Sequence, residues 1–112
     1  MTKKATNHFR GGMSEMIRQA NRLQRKIEER RGELKTVTVE ASAGNDKVKA
    51  TANGGRELVR ITIDPELLKS EDTELVLDLV VAASNAALNK ASEMVEAELE
   101  KIAGGRKIPG LT

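Results

Sequence analysis

Residues 13–34 read MSEMIRQANRLQRKIEERRGEL, and their spacing predicts the long helix around which the fold is organised. Apolar residues recur here at intervals of three, four or seven, which places them on one side of an α-helix. This apolar stripe consists of Met13, Met16, Ala20, Leu23, Ile27 and Leu34. Only Arg30 interrupts it. At about 100° per residue, Arg18, Arg22 and Arg25 lie roughly opposite the stripe and form what we name the arginine face.

The two sides of this helix have different requirements. The apolar stripe needs a packing partner, whereas the arginine face presents fixed positive charge. One interpretation is a dimeric nucleic-acid binder, since guanidinium groups one turn apart can contact successive phosphates. The alternative is a solvated face whose arginines pair with Glu15, Glu29 and Glu33 or with the acidic helix near the C-terminus.

The composition favours a single domain that completes its core in a dimer. A length of 112 residues fits one domain over residues 1–112. Phe9 is the only aromatic residue, so the core must be built from Leu, Ile, Val, Ala and Met. Because these side chains fill little volume in a short chain, we expect an obligate homodimer.

Several classes of function are disfavoured by what the chain lacks. With no cysteine, disulfides and thiolate metal sites are excluded. No apolar run approaches the roughly 20 residues that span a bilayer, and the basic N-terminus has no signal-peptide core, so we expect a cytoplasmic protein. His8 is the only histidine, and no glycine-rich phosphate loop is present. We therefore predict no enzymatic activity and no cofactor or metal.

Charge is strongly segregated along the chain. Residues 1–35 carry ten Lys/Arg against four Asp/Glu, whereas residues 72–103 carry two against seven. The segregation suggests a polyanionic partner for the basic segment. It equally permits the basic helix to lie beside the acidic one.

The alternation of apolar and polar residues predicts three strands after the first helix. Val37, Val39 and Ala41 alternate with polar residues, and residues 47–53 do the same. Residues 57–63 should direct Val59, Ile61 and Ile63 to one side and Leu58, Arg60 and Thr62 to the other. Two short turns, at residues 44–46 and 53–55, make these strands an antiparallel meander.

Helical signals follow the strands. Asp64 and Pro65 are typical of a capped helical turn. A long helix is then expected from Thr73 to Ala103, apolar almost all round in its first half and narrowing later to an apolar stripe with exposed glutamates. Residues 1–12, which end in Gly11-Gly12, are expected to form a flexible arm, and residues 104–112 a flexible basic tail.

In this order of elements and in four stretches of its sequence, the chain resembles the YbaB/EbfC family of bacterial nucleoid-associated DNA-binding proteins. The resemblance rests on four stretches that together cover nearly the whole chain: MSEMIRQA at residues 13–20, ITIDPELL at 61–68, LVVAASNAA at 79–87 and IPGL at 108–111. It implies an α+β fold in the order α-β-β-β-α, assembled as a tweezer-like homodimer with projecting helices. It also implies binding of double-stranded DNA and a role in nucleoid organisation or gene regulation.

The candidate DNA-binding residues lie on the first helix and at the termini. They are Arg18, Arg22, Arg25, Lys26, Arg10, Arg106 and Lys107. The outer half of the last helix is acidic, because it carries four glutamates (Glu93, Glu96, Glu98 and Glu100) and only two lysines, Lys90 and Lys101. We therefore expect little contact between this helix and DNA. The residues expected in the core or at the dimer contact are Val37, Val39, Val59, Ile61, Ile63, Leu79, Val80 and Ala83. A dimeric helical adaptor that binds another protein remains the alternative function.

Overall fold

The computed structural model describes the backbone of residues 2–104 and the side chains of residues 12–104. One long helix precedes and another follows a single antiparallel sheet with strand order β1-β2-β3, and the second helix packs on the sheet. The elements are α1 (Thr2–Leu34), β1 (Thr38–Ala43), β2 (Val48–Asn53), β3 (Leu58–Ile63), α2 (Pro65–Leu68) and α3 (Thr73–Ile102). The predicted α+β fold in the order α-β-β-β-α is confirmed, with α2 as the predicted capped turn between the sheet and the last helix.

The first helix is longer than predicted. Its backbone begins at Thr2 rather than near Met13, so the residues expected to precede it as an arm are assigned to its first turns. The prediction relied on Gly11-Gly12 as a stop. A glycine costs only about 1 kcal/mol relative to alanine in a helix interior, which does not by itself end a helix. Gly32 also lies inside α1.

The core lies between β2 and the middle of α3. The β2 side chains on one face are fully buried, as the alternation predicts, and they meet alanines that recur every four residues along α3. These residues are Val48, Ala50, Ala52, Ala83, Ala87 and Ala91. Since the alanines share one face of the helix and are short, α3 can approach the sheet closely.

The strand β3 contains an irregularity that the alternation of its residues does not predict. Thr51 pairs with Arg60 but Ala52 pairs with Leu58, so Val59 has no opposite residue on β2. Residues directly opposite each other share a face of the sheet. Leu58 therefore lies on the face of buried Ala52, where the strict alternation predicts Val59 instead. A β-bulge of this kind breaks the period of two on which the prediction depends.

The two long helices form an elongated arm. The molecule extends over 85 × 20 × 16 Å, with a radius of gyration of 22.4 Å. A compact domain of this length would have a radius of gyration of about 13 Å. Arg30 of α1 reaches Glu98 of α3 at 3.4 Å, whereas Lys35 and Ser92 line one cleft nearer the sheet. The two helices therefore run in opposite directions.

Only part of the apolar stripe on α1 is covered within the chain. Leu34 is buried, and Leu23 and Ile27 are half-buried. Met13 and Met16, farther along the projecting half of the helix, are 50% and 70% exposed. The C-terminal end of the stripe is therefore covered within the arm, whereas its N-terminal end is open to solvent.

The end of α1 is fixed by the turn between β2 and β3. The Gly54 N–H donates to the carbonyl oxygens of Leu34 and Val37, each at 3.1 Å. A Cβ atom placed on Gly54 would lie 2.2 Å from the Leu34 carbonyl oxygen. No side chain larger than hydrogen fits here without moving one backbone away from the other, so Gly54 sets the junction of arm and sheet.

We expect Gly54→Ala to destabilise the protein by about 2 kcal/mol, because the added methyl group overpacks a backbone contact. Urea unfolding followed by circular dichroism measures the effect. Gly32→Ala is the matched control: its Cβ would meet no atom within 4 Å, and helical alanine is favoured over glycine by about 0.5–1 kcal/mol. Equal stability of the two variants would contradict this account of the junction.

Candidate nucleic-acid interface

The arginine face lies on the projecting part of α1 and is open to solvent. Arg18, Arg22 and Arg25 are all exposed. At 1.5 Å per residue they span about 10 Å along the helix axis. Duplex DNA carries one phosphate per roughly 3.4 Å of axis on each strand, so a 10 Å length of one strand presents about three phosphates to the three guanidinium groups.

The ion pairs of α1 leave most of this face free. Arg18 contacts Glu15 at 3.7 Å, and its side chain remains 65% exposed. Such a surface pair contributes at most about 1 kcal/mol, so it does not hold the guanidinium away from another anion. Among the described residues, no carboxylate lies within 4.0 Å of Arg22 or Arg25. Pairing with Glu29 or Glu33 therefore does not account for the arginine face.

The other candidate DNA-binding residues are distributed as follows. Lys26 is exposed and directly follows Arg25 on α1. Arg10 belongs to the backbone of α1, but its side chain lies outside the described part. Arg106 and Lys107 also lie outside the described residues, together with the predicted tail from residue 105 onward. The described interface thus consists of the arginine face and Lys26.

The outer half of α3 carries glutamates and does not extend this basic interface. The sequence predicts that all four glutamates are exposed. Glu93 is exposed, but Glu96, Glu98 and Glu100 are half-buried, since α1 lies alongside this half of α3. The hydrogen bond from Arg30 lowers the pKa of Glu98, and Lys101 at 3.5 Å adds to the effect. Glu98 is therefore a carboxylate at neutral pH, held between the Arg30 guanidinium and the Lys101 ammonium group.

The candidate core and dimer residues fall into two groups. Val39, Ile63, Leu79 and Val80 are half-buried against the core, and Ala83 is fully buried. Val37, Val59 and Ile61 are exposed in the single chain. Further apolar side chains of α2 and the first half of α3 are also exposed in the single chain, namely Leu68, Leu75, Leu77 and Val81.

A basic cleft is the feature that the sequence pattern does not single out. Arg31, Lys35 and Arg56 line one cleft of about 370 Å³ at the base of the arm. They come from the end of α1, the residue after it and the turn between β2 and β3. The glycine pair at 54–55 predicts the turn that carries Arg56. It does not predict that this turn lies against the end of α1.

The described part of the chain has no feature of a metal or membrane protein. Between residues 12 and 104, no group of three or more His, Cys, Asp or Glu side chains is placed to hold a metal ion. None of the described helices is both long enough and apolar enough to cross a bilayer.

Comparison with known proteins decides the family. The model of the YbaB/EbfC DNA-binding family matches residues 10–106. This chain belongs to the YbaB/EbfC DNA-binding family. The resemblance drawn from the four sequence stretches is thereby confirmed. Because membership places the chain in a DNA-binding rather than an enzymatic family, the prediction that it is not an enzyme is confirmed as well.

Relatives within the YbaB/EbfC family match over nearly their whole length. A nucleoid-associated protein of Thermoanaerobacter pseudethanolicus is 48% identical over 109 residues, covering 96% of this chain and 98% of the relative. One from Myxococcus xanthus is 49% identical over 96 residues, covering 86% and 91%. A crystal structure of an uncharacterized protein from Helicobacter pylori matches with a TM-score of 0.56 at 24% identity, covering 76% of this chain and 94% of that one. This last likeness concerns the fold alone.

Proposed function

We propose that this protein is a nucleoid-associated protein that binds double-stranded DNA as a homodimer, largely through phosphate contacts. Its role is in nucleoid organisation or gene regulation, and its location is the cytoplasm, on the nucleoid. Membership of a DNA-binding family and relatives named nucleoid-associated proteins support the proposal. The observation that carries it is the arginine face, which is exposed, makes a single weak ion pair with the described residues and lies on a projecting helix.

Phosphate contacts rather than base contacts are the mode that this face supports. Arginine side chains one turn apart neutralise successive phosphates and release the counterions held there, a gain that does not depend on base sequence. The chain has a single aromatic residue, so the stacking platforms that bind single-stranded nucleic acid are lacking. Duplex DNA bound with little sequence preference is the expected ligand.

The exposed apolar patch supports the homodimer. Val59, Ile61 and Val81 are 54%, 37% and 58% exposed in the single chain. An apolar patch of this kind on β3 and α3 is costly in water and typical of an association surface. A second copy that covers it would complete the small core and would place two arginine faces in one molecule. We therefore assign the patch to the contact between subunits.

The proposal is tested by titrating two duplexes of unrelated sequence with the wild-type protein and following the mobility shift. We expect both duplexes to shift at similar protein concentrations, with binding that weakens steeply as salt is raised. If neither duplex shifts in low salt, the proposed function is wrong.

A second candidate function is a dimeric helical adaptor for another protein. The observation that favours it is the open end of the apolar stripe, where Met13, Met16 and Ile17 are 50%, 70% and 58% exposed. Exposed methionines form adaptable surfaces for protein partners. A protein partner whose capture survives high salt, together with no shift of DNA at low salt, would favour this function over DNA binding.

A further inference from the structure

The basic cleft brings together side chains from three parts of the chain. Arg31 lies on the last turn of α1, Lys35 directly follows that helix, and Arg56 lies in the turn between β2 and β3. The opposite wall comes from α3, with Ser92, Val95 and Glu96. The floor contains two glycines at positions 54–55, whose N–H groups already donate to the Leu34 and Val37 carbonyl oxygens and to the Asn53 side chain.

The turn that carries Arg56 is held in a fixed conformation. The Asn53 side-chain oxygen accepts hydrogen bonds from the Gly55 N–H at 2.8 Å and the Glu57 N–H at 3.1 Å. Arg56 itself has φ of +61°, in the left-handed region that favours glycine. A long charged side chain at a position better suited to glycine points to a function for that side chain.

The charges of the cleft are unbalanced. No carboxylate among the described residues lies within 4.0 Å of Arg31, Lys35 or Arg56. Glu96 is the one acidic residue of the lining, and Glu57 beside the turn accepts a hydrogen bond from Asn53 at 3.2 Å. Three cations beside the Glu96 and Glu57 carboxylates leave an excess of one positive charge in a concave site, which an anion entering the cleft would neutralise.

We propose that the basic cleft binds a backbone phosphate of duplex DNA, as a second contact separate from the arginine face. The inference rests on the proposed function and adds a site to it. Guanidinium groups recognise phosphate through paired N–H donors, and a lysine adds a point charge. Among the described residues no aromatic ring lines the cleft, so it lacks an aromatic platform for a free nucleobase.

The cleft contacts phosphates that the arginine face does not reach. Arg31 is six residues beyond Arg25, which at about 100° per residue rotates its side chain by roughly 120° away from that face. It is also about 20 Å along the helix axis from Arg18. The two sites therefore contribute independently to binding and to its salt dependence.

The test compares two triple variants that each remove three positive charges per chain. Arg31→Ala/Lys35→Ala/Arg56→Ala empties the cleft of cations, and Lys47→Ala/Lys49→Ala/Arg60→Ala removes exposed cations of the sheet as the matched control. Duplex affinity is measured by fluorescence anisotropy over a salt series. We expect the cleft variant to bind roughly tenfold more weakly than the control at low salt, with a log–log salt slope less steep by about one unit per occupied cleft.

A single substitution separates a binding role from a structural one. Arg56→Gly suits the left-handed backbone, so we expect a thermal midpoint at or above that of the wild type together with weaker duplex binding. If the cleft variant and Arg56→Gly bind duplex DNA as the control does, the cleft is no DNA contact. That outcome would contradict only the cleft proposal. A wild-type protein that binds no duplex would contradict both the cleft proposal and the proposed function.

Discussion

Replacing Arg18, Arg22 and Arg25 together by alanine is expected to weaken duplex binding by roughly a hundredfold or more in low salt. In a homodimer this change removes six exposed guanidinium groups from two α1 helices. Each one that neutralises a phosphate contributes a counterion-release gain to affinity, and of the described interface Lys26 alone is left on each helix. The measurement is a mobility-shift or anisotropy titration of a duplex with the wild type and the variant.

The control for this experiment is the sheet variant Lys47→Ala/Lys49→Ala/Arg60→Ala, which has the same net charge. If binding depended only on overall charge, the two variants would lose the same affinity. We expect the sheet variant to stay within a few-fold of the wild type, because its side chains lie off the arginine face. An arginine-face variant that binds as tightly as the sheet variant would contradict the proposed site.

The second large effect concerns the subunit contact. We expect the wild type to sediment at micromolar concentration with twice the chain mass of 12.2 kDa, and Val59→Glu/Ile61→Glu to sediment with the mass of one chain. The reason is that carboxylates placed in an apolar contact must be desolvated without a partner. Val59 and Ile61 are 54% and 37% exposed in the single chain, so the added carboxylates meet the contact between subunits rather than the core of one subunit.

Thr62→Glu is the matched control for the dimer experiment. Thr62 lies on the same strand and pairs with Lys49, on the face of the sheet turned away from α3. An added carboxylate there stays in water beside a lysine, and we expect the dimer to persist. A wild type with the mass of one chain would contradict the proposed homodimer. If the double-glutamate variant remains dimeric, Val59 and Ile61 are not part of the contact between subunits.

Local patterns were sufficient to predict most of the fold. The alternation around Val48 and Ala50 depends on one buried face, and the structure buries that face against α3. Asp64 caps α2 by accepting a hydrogen bond from the Glu66 N–H at 2.9 Å, and Asp72 caps α3 through the Leu75 N–H at 3.1 Å. Such caps involve residues two or three positions apart, so the sequence displays them directly.

Features that depend on residues distant in sequence could not be predicted. The bulge at Val59 is a property of how β3 pairs with β2, and no period within β3 reveals it. Arg30 interrupts the apolar stripe in the sequence, yet it lies beside α3 and contacts Glu98. The basic cleft likewise forms only because Gly54 brings the β2–β3 turn against the end of α1.

The salt dependence of duplex binding by the wild type tests the central claim most directly. Arg18, Arg22, Arg25 and Lys26 give eight cations per homodimer, and each phosphate that they neutralise contributes about −0.9 to the slope of log affinity against log salt. We predict a slope of about −5 or steeper that is the same for unrelated duplex sequences. A slope shallower than about −2, or no binding in low salt, would contradict phosphate recognition by the arginine face.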